Sequence, residues 1–396
     1  MSKIMVVNAG SSSLKFQLLS MPNEEVLTSG LIERIGFEDA AFTIKVNGEK
    51  IKKVLPIKDH KVAVQILLDA LLEYKVVSSY SEIEGIGHRV VNGGDLFPES
   101  IKVEGDVITR LEALNDLAPL HNPAAIVGYR AFEAALPHAG NVLVFDTSFF
   151  VDMPETSYIY PVPYEWYTDY SVRKYGAHGT SHKYVASEAK KLFNLGDAAK
   201  IITCHIGNGA SISAVKGSKC IDTSMGLTPL AGVMMGTRSG DIDPAVIKFI
   251  CQKTGKTVDQ VTNDLNKSSG LLGVSGISSD SRDVEDAANN GNKRAILAQE
   301  LQVQTIVKYI GTYFVELGGC DAIVFTAGLG ENNKVMRASV CEKLKEALGV
   351  VIDSEKNNVR GETRVISADS SKVGVAIIPT NEELVIARDT TRLLGL

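Results

Sequence analysis

Two segments of this chain share a plan that restricts the folds open to it. A β-branched run, Ile4-Met5-Val6-Val7, breaks into Asn8-Ala9-Gly10-Ser11-Ser12-Ser13 and resumes at Leu14-Lys15-Phe16. Much later Ile201-Ile202-Thr203-Cys204 runs through His205-Ile206 into Gly207-Asn208-Gly209 and resumes as Ala210-Ser211-Ile212-Ser213. Strand, tight turn and returning strand make a hairpin whose free N–H groups can hold an anion at the tip. Two such tips predict a duplicated fold with a polyphosphate held between the halves.

The bulk properties agree with two domains. The 396 residues exceed the ~250–300 at which a single core stops growing. A hydrophobic share of 44% with 22% charged residues is that of an ordinary globular chain. Against 47 acids stand 41 bases, a net charge of −6, so no basic field favours nucleic acid as a partner. Local cations can still bind a small anion. No stretch approaches the ~20 apolar residues of a membrane span, and the apolar start ends at Asn8 without a signal-peptide pattern. Cys204, Cys220, Cys251, Cys320 and Cys341 are scattered, without a Cys-x-x-Cys pair, which reads as free thiols in a reducing cytoplasm.

Along the chain, residues 1–60 read as strands, with Glu25–Arg34 and Ala41–Val46 after the first hairpin and an Asn47-Gly48 turn. Lys61–Tyr74 is predicted helical, with Val62, Ile66, Leu67 and Leu71 on one face. Ile83–Val91 is a strand. Asn122-Pro123 reads as a capped helix start leading into Ala124–Ala135, and Val142–Phe145 as a buried strand ending at Asp146. A Pro- and Tyr-rich segment, Pro154–Tyr170, suits a domain junction. The plan then repeats: the second hairpin, a long helix over Lys293–Leu317, and Ala322–Phe325, whose Val324-Phe325-Thr326 matches Val144-Phe145-Asp146. Residues 382–396 form a last amphipathic helix. The class is α/β, two mixed sheets with flanking helices.

Several side chains carry chemistry. Ser11, Ser12 and Lys15 suit phosphate oxygens, although a Ser-rich turn explains them too. Gly207 and Gly209 permit φ > 0 and close approach to a ligand, which a type I′ turn would also require. Gly328-Leu329-Gly330-Glu331-Asn332 follows a strand and precedes a helix, where an anion or base can dock; a plain turn competes. Arg89 and Arg238 offer guanidinium forks for a carboxylate or phosphoryl group, or simple ion pairs with Asp95 and Asp241. Gly179 keeps His178 outside the helix that Thr180 or Ser181 caps. His121 precedes the Asn122 helix start. Asp146 ends a strand within reach of a Mg2+ shell, and Glu382 opens the last helix, where the dipole alone would favour it. Gly255-Lys256-Thr257 is not a P-loop, since the first glycine would fall at Ile250.

Asn8–Lys15 and Met234–Pro244 resemble the two signatures of the acetokinase family. His88–Gly94, Phe145-Asp146-Thr147, Tyr175–His182, His205–Gly209 and Asn381–Leu384 match it in order along the chain. The resemblance implies a duplicated ribonuclease-H-like (actin-like ATPase) fold around a central cleft, with residues 1–148 plus 384–396 as one domain. Residues 149–383 would form the other, carrying the nucleotide site and a homodimer interface. It implies transfer of phosphate from ATP to acetate, with propionate or another short-chain acid as the alternative. Asn8 and Glu382 would bind Mg2+ (or Mn2+). Lys15, Ser11, Ser12, His205, Ile206, Gly207, Asn208, Gly209, Asp280, Ser281, Arg282, Gly328, Leu329, Gly330, Glu331 and Asn332 would lie at ATP or ADP. Arg89 would hold the acetate carboxylate, with Val91, Leu120, His121 and Pro229 about it. His178 and Arg238 would stabilise the transition state, and Asp146 would orient Mg2+ and its waters. Ala177 stands where many relatives carry phenylalanine, which leaves room for propionate. A sugar kinase of the same superfamily would not need paired arginines, and an ATP-driven binding machine would need chain that is not there.

Overall fold

Period-two alternation carries the start of the chain through five consecutive strands: β1 Ser2–Gly10, β2 Ser13–Met21, β3 Glu25–Glu33, β4 Ala40–Val46 and β5 Glu49–Leu55. Each is antiparallel to the next. The computed structural model describes residues 1–119 and 121–396, and Leu120 lies outside the described residues. Asn47 and Gly48 take φ of 52° and 82°, the pair of left-handed residues that a two-residue hairpin demands. The first hairpin is tighter than its polar sequence predicts. Gly10 pairs with Ser13 and Asn8 with Lys15, so only Ser11 and Ser12 turn and Asn8 is a strand residue.

Beside β1 lies β6 (Ile83–Val90), parallel to it; β7 (Ile101–Lys102) is an edge, and β8 (Gly140–Phe145) runs parallel to β6. The sheet order is β5-β4-β3-β2-β1-β6-β8-β7. Met5 and Val7 pack in one core with the helices His60–Glu73 and Asn122–Ala135, while the helix Glu382–Leu394 packs on β1, β6 and β8. Two expectations change here. Val62 is exposed, and the buried stripe is Ala63, Val64, Leu67, Leu68 and Leu71; Asp59 caps the helix, which starts at His60. Asn122 is no cap, since His121 occupies that position. Its buried amide instead donates to Asn92 O at 2.8 Å and accepts from Asn92 N at 3.3 Å, which pins the turn after β6.

The second sheet contains β9 (Lys200–Ile206), β10 (Ala210–Lys216), β11 (Lys219–Thr223), β12 (Ala322–Thr326), β13 (Arg364–Val365) and β14 (Gly374–Ile377). Its order is β11-β10-β9-β12-β14-β13, with β9, β12 and β14 parallel. Three antiparallel strands followed by two parallel ones thus occur twice, as β3-β2-β1-β6-β8 and β11-β10-β9-β12-β14. This corrects the internal alignment. By topology β12 corresponds to β6, not to β8 as the shared Val-Phe pair implied. Buried parallel strands converge on the same apolar composition, so a dipeptide cannot tell neighbours apart.

The chain divides into Met1–Ser148 with Asn381–Leu396, and Phe149–Thr380. Asn381, Glu382 and Glu383, expected with the second domain, group with the first unit. Among the described residues the five cysteines are free, and no helix is long and apolar enough to cross a membrane.

Candidate active site

In the first unit three parallel strands deliver side chains to one end of the sheet. Val7 pairs with His88 and Val90 with Phe145, so Asn8, Arg89 and Asp146 emerge at adjacent carboxyl ends, where open α/β sheets place their sites. The helix Glu382–Leu394 adds Glu382 and Glu383, its start capped by Asn381 Oδ1 accepting from Leu384 N at 3.1 Å. Its close seat on the sheet requires glycine. A β-carbon on Gly87 would lie 2.5 Å from Ile386 Cγ2, and one on Gly85 2.8 Å from Leu394 Cδ1.

Arg89 does not pair with Asp95. It holds Asp146 through both edge donors, Nε to Oδ1 at 3.1 Å and Nη2 to Oδ2 at 2.7 Å, with Glu382 Oε2 3.9 Å from Nε. Burial opposes the guanidinium charge, but Asp146 and Glu382 more than offset it, and the Arg89 pKa is raised. Burial pushes Glu382 up; Arg89 pulls it down, and Asp146 and Glu383 push it up again. Lys15, largely exposed, pairs with Glu383. Asn8, Lys15, Arg89, Glu382 and Glu383 line one small cavity. An amide oxygen and a half-buried carboxylate with excess negative charge around it are hard donors, and they fit a Mg2+ that keeps most of its waters. Ser11 and Ser12 are exposed at the hairpin tip, Val91 is half-buried, and His121 is exposed.

The second unit builds its site on the β9–β10 hairpin. Neither Gly207 nor Gly209 has positive φ; their use is close approach. A β-carbon on Gly209 would lie 3.4 Å from Arg238 Nη1 and 3.5 Å from His178 Nε2, so turn, guanidinium and imidazole converge. Gly236 is equally confined, since a β-carbon there would strike Asn208 Oδ1. Arg238 donates to Pro229 O at 3.1 Å, and burial lowers its pKa. Asp241 instead accepts from Gly232 N and Tyr309, so Arg238 has no carboxylate partner among the described residues. That is the state of a cation awaiting an anion.

His178 is itself the cap residue, left-handed at φ 61°, and the helix begins at Gly179 rather than after Thr180 or Ser181. Its ring stacks on His205 with centroids 4.1 Å apart. His178 Nδ1 meets Ser211 Oγ at 2.8 Å; the same hydroxyl meets His182 Nε2 at 2.7 Å, and His182 Nδ1 meets Thr203 Oγ1 at 2.7 Å. Ser181 Oγ bonds His205 Nδ1 at 2.8 Å. Burial, with His205 nearby, holds the His182 pKa far below the usual range, so its ring is neutral. The sequence set His178 outside the helix but gave no sign of this relay, because the inward hydroxyls of Thr203 and Ser211 did not stand out.

A cavity of about 600 Å3 beside the turn is lined by Gly207, Asn208, Asp280, Ser281, Arg282, Gly328, Leu329 and Asn332. Gly236, Glu285, Asn333, Lys334 and Arg360 also line it. Asp280 caps the helix Ser281–Asn289, and Arg282 holds it bidentately at 3.0 and 2.5 Å, which lowers the Asp280 pKa to about 2. Some expected contacts turn inward. Ile206 is fully buried in the core. Glu331 Oε1 accepts from Ala327 N at 2.8 Å and Thr380 N at 3.2 Å. The Gly330 carbonyl accepts from Arg337, which is wholly buried and also bonded to Asn357. Ala177 is buried among Ile202, Met225 and Met235.

Comparison with known proteins completes the picture. A family model described as the Acetokinase family matches residues 3–388. Acetate kinase of Geobacillus sp. (strain WCH70) is 57% identical over 397 residues, all of both chains. Acetate kinase of Bacillus subtilis (strain 168) is 56% identical over 396 residues, covering 99% of this chain and 100% of its own. Among solved structures, Porphyromonas gingivalis acetate kinase superposes with a TM-score of 0.95 at 46% identity over the whole of both chains. A propionate kinase from Francisella tularensis subsp. tularensis SCHU S4 gives 0.94 at 42% identity, covering 99% of this chain and 100% of its own. These neighbours share the duplicated α/β architecture of the actin-like ATPases. Matched by one family model along nearly its whole length, and more than half identical to relatives from end to end, this chain belongs to the acetokinase family.

Proposed function

We propose that this chain is an acetate kinase, which transfers the terminal phosphoryl group of ATP directly to acetate and gives ADP and acetyl phosphate, reversibly. The observation that carries the reading is the convergence of Arg238, His178 Nε2 and the Gly209 turn next to a nucleotide-sized cavity. The nucleotide takes that cavity. Arg238, without a carboxylate partner among the described residues, meets the transferring phosphoryl oxygens, where a preorganised cation acts on developing charge. Asn8 and Glu382 would hold Mg2+, which when bound would supply neutralisation of phosphate charge. Lys15 and its hairpin lie on the same side of that unit.

Arg89 binds the acetate carboxylate by its end-on edge, because Asp146 occupies the edge formed by Nε and Nη2. Acetate is already ionised at neutral pH, so it needs no base. Asp146 therefore positions Arg89, in place of the Mg2+-orienting role first expected for it.

The His178 relay has a direction. Thr203 Oγ1 donates to Ser213 O at 3.4 Å, so it accepts from His182 Nδ1–H. The neutral His182 then presents bare Nε2, which accepts the Ser211 hydroxyl proton, and Ser211 Oγ accepts from His178 Nδ1–H. With its Nδ1 proton fixed, His178 can donate through Nε2 only as an imidazolium.

The test is a hydroxamate assay with ATP, Mg2+ and acetate. Acyl phosphate should accumulate, and its absence at saturating substrates would sink the reading. A short-chain acyl kinase is the second reading, favoured by the propionate kinase neighbour and by the small Ala177. A methylene in an apolar pocket changes kcat/KM by about 10-fold or somewhat more, so the ratio for acetate against propionate decides between them. A homodimer through the second unit and a cytoplasmic location, suited to five free thiols, complete the proposal.

A further inference from the structure

Beyond Arg89 the chain leaves β6 and turns through Asn92, Gly93 and Gly94. The successive N–H groups of these residues are all bonded by side-chain oxygens. Asn122 Oδ1 accepts from Asn92 N at 3.3 Å, Thr147 Oγ1 from Gly93 N at 3.0 Å, and Asn92 Oδ1 from Gly94 N at 2.8 Å. Asn122 Nδ2 also donates to Asn92 O at 2.8 Å. The Asn122 amide thus meets both backbone polar groups of one residue, as a neighbouring strand would. Asn122, Asn92 and Thr147 are all buried, so a donor that loses its partner here stays unsatisfied.

The turn governs Val91, the residue between it and the strand. Side chains alternate along extended chain, and burial follows that alternation: Arg89 and Val91 are half-buried, while Val90 between them is fully buried. Val90 packs with Phe97, Ile126 and Phe145, and Val91 shares the face of Arg89. The two clamping residues come from different elements. Asn122 follows His121 at a helix start, and Thr147 follows Asp146, the partner of Arg89.

We propose that Asn122 and Thr147 are positioning residues for the acyl side of the site: by fixing residues 92–94 they hold Val91 close to Arg89 and so set the room left for the acyl chain. The inference rests on placing acetate at Arg89. Both residues act through Val91 rather than on the acid itself. A loosened turn lets Val91 give way, so acetate binds less well and a longer acid is rejected less.

The test uses three variants of the full chain. Thr147→Val keeps the shape and removes the acceptor, Thr147→Ser keeps the acceptor, and Asn122→Leu removes both partners of Asn92. Hydroxamate assays with acetate and propionate are read beside hydrogen exchange over residues 91–97. Thr147→Val and Asn122→Leu should raise KM for acetate about fivefold or more, with KM for ATP within about twofold of wild type. The acetate-to-propionate ratio of kcat/KM should move towards unity by about threefold, and exchange at the turn should quicken about tenfold or more. Thr147→Ser should match wild type in each measurement. An unchanged acetate KM and ratio in Thr147→Val, equal rises in both KM values, or a Thr147→Ser protein that behaves like Thr147→Val overturns the proposal. Should Asn122→Leu not fold, the Thr147 pair decides. Wild-type protein that makes no acyl phosphate from either acid marks failure of the kinase reading instead, and exchange in the Thr147 pair still decides whether the clamp exists.

Discussion

Arg89 and Asp146 were both legible in the sequence, each at the end of an apolar strand, but their partnership was not. They are far apart in the chain, and only parallel pairing of β6 with β8 brings them to 2.7 Å. Asp146→Asn keeps the shape and loses the charge that orients the guanidinium. It should lower kcat/KM for acetate by about 100-fold, an amount typical of misplaced positioning groups, while KM for ATP stays within about threefold. Retention of most acetate activity would refute the positioning role. The histidine relay makes a prediction of another kind. If His178 works as the imidazolium, kcat falls as pH rises through its pKa. Ser211→Ala frees the ring to carry its one proton on Nε2, so that alkaline decline should weaken even as the rate at low pH drops. A decline of unchanged shape would count against the relay. Stability has its own pH term. Burial lowers the pKa of His88 to about 4, against 6.5 for the free group. Between those values the unfolded chain binds more protons than the folded one, so stability rises with pH and is lost as pH falls from 6.5 towards 4. The loss is on the order of 3 kcal/mol. His88 bonds Asn141 Oδ1 at 2.8 Å, and His88→Gln, which can still donate there, should flatten the curve of melting temperature against pH. Parallel curves for the two proteins would discard this account.

At the level of elements, strands and long helices followed local pattern closely, since alternation and helical stripes are properties of neighbouring residues. Ends and pairings followed it less well. Asn122 looks like a cap but serves the loop after Arg89, and the helix before β9 starts on a left-handed histidine. The close seat of Glu382–Leu394 on β6 likewise rests on glycines whose purpose only the packed face reveals. Gly87→Val would force side-chain atoms into Ile386 and Thr390. Overpacking of this kind costs about 1–3 kcal/mol, and here it also lifts the helix that carries Glu382. Chemical denaturation should show that loss, with a raised requirement for Mg2+ in the assay. Wild-type stability with an unchanged Mg2+ requirement would show that the helix does not depend on this contact.

For the whole molecule, the first unit is closed by the last residues of the chain. Deleting residues 381–396 removes the helix that packs on β1, β6 and β8 and exposes the apolar sheet beneath it. Limited proteolysis of the truncated protein should then cut within residues 1–148 while residues 149–380 remain protected. Equal protection of both would mean that the first unit folds without its final helix. The sequence alone determined the class of fold, the duplication and the family, and it named most of the residues proposed for the site. Those are carried by local periodicity and by motifs whose members are neighbours in the chain. The tertiary structure alone decided which strand of one repeat answers to which strand of the other. It also decided that Asp146 pairs with Arg89 and that, among the described residues, Arg238 has no carboxylate partner. Each of these depends on which residues distant in sequence meet, and that is decided only once strand order and packing have closed.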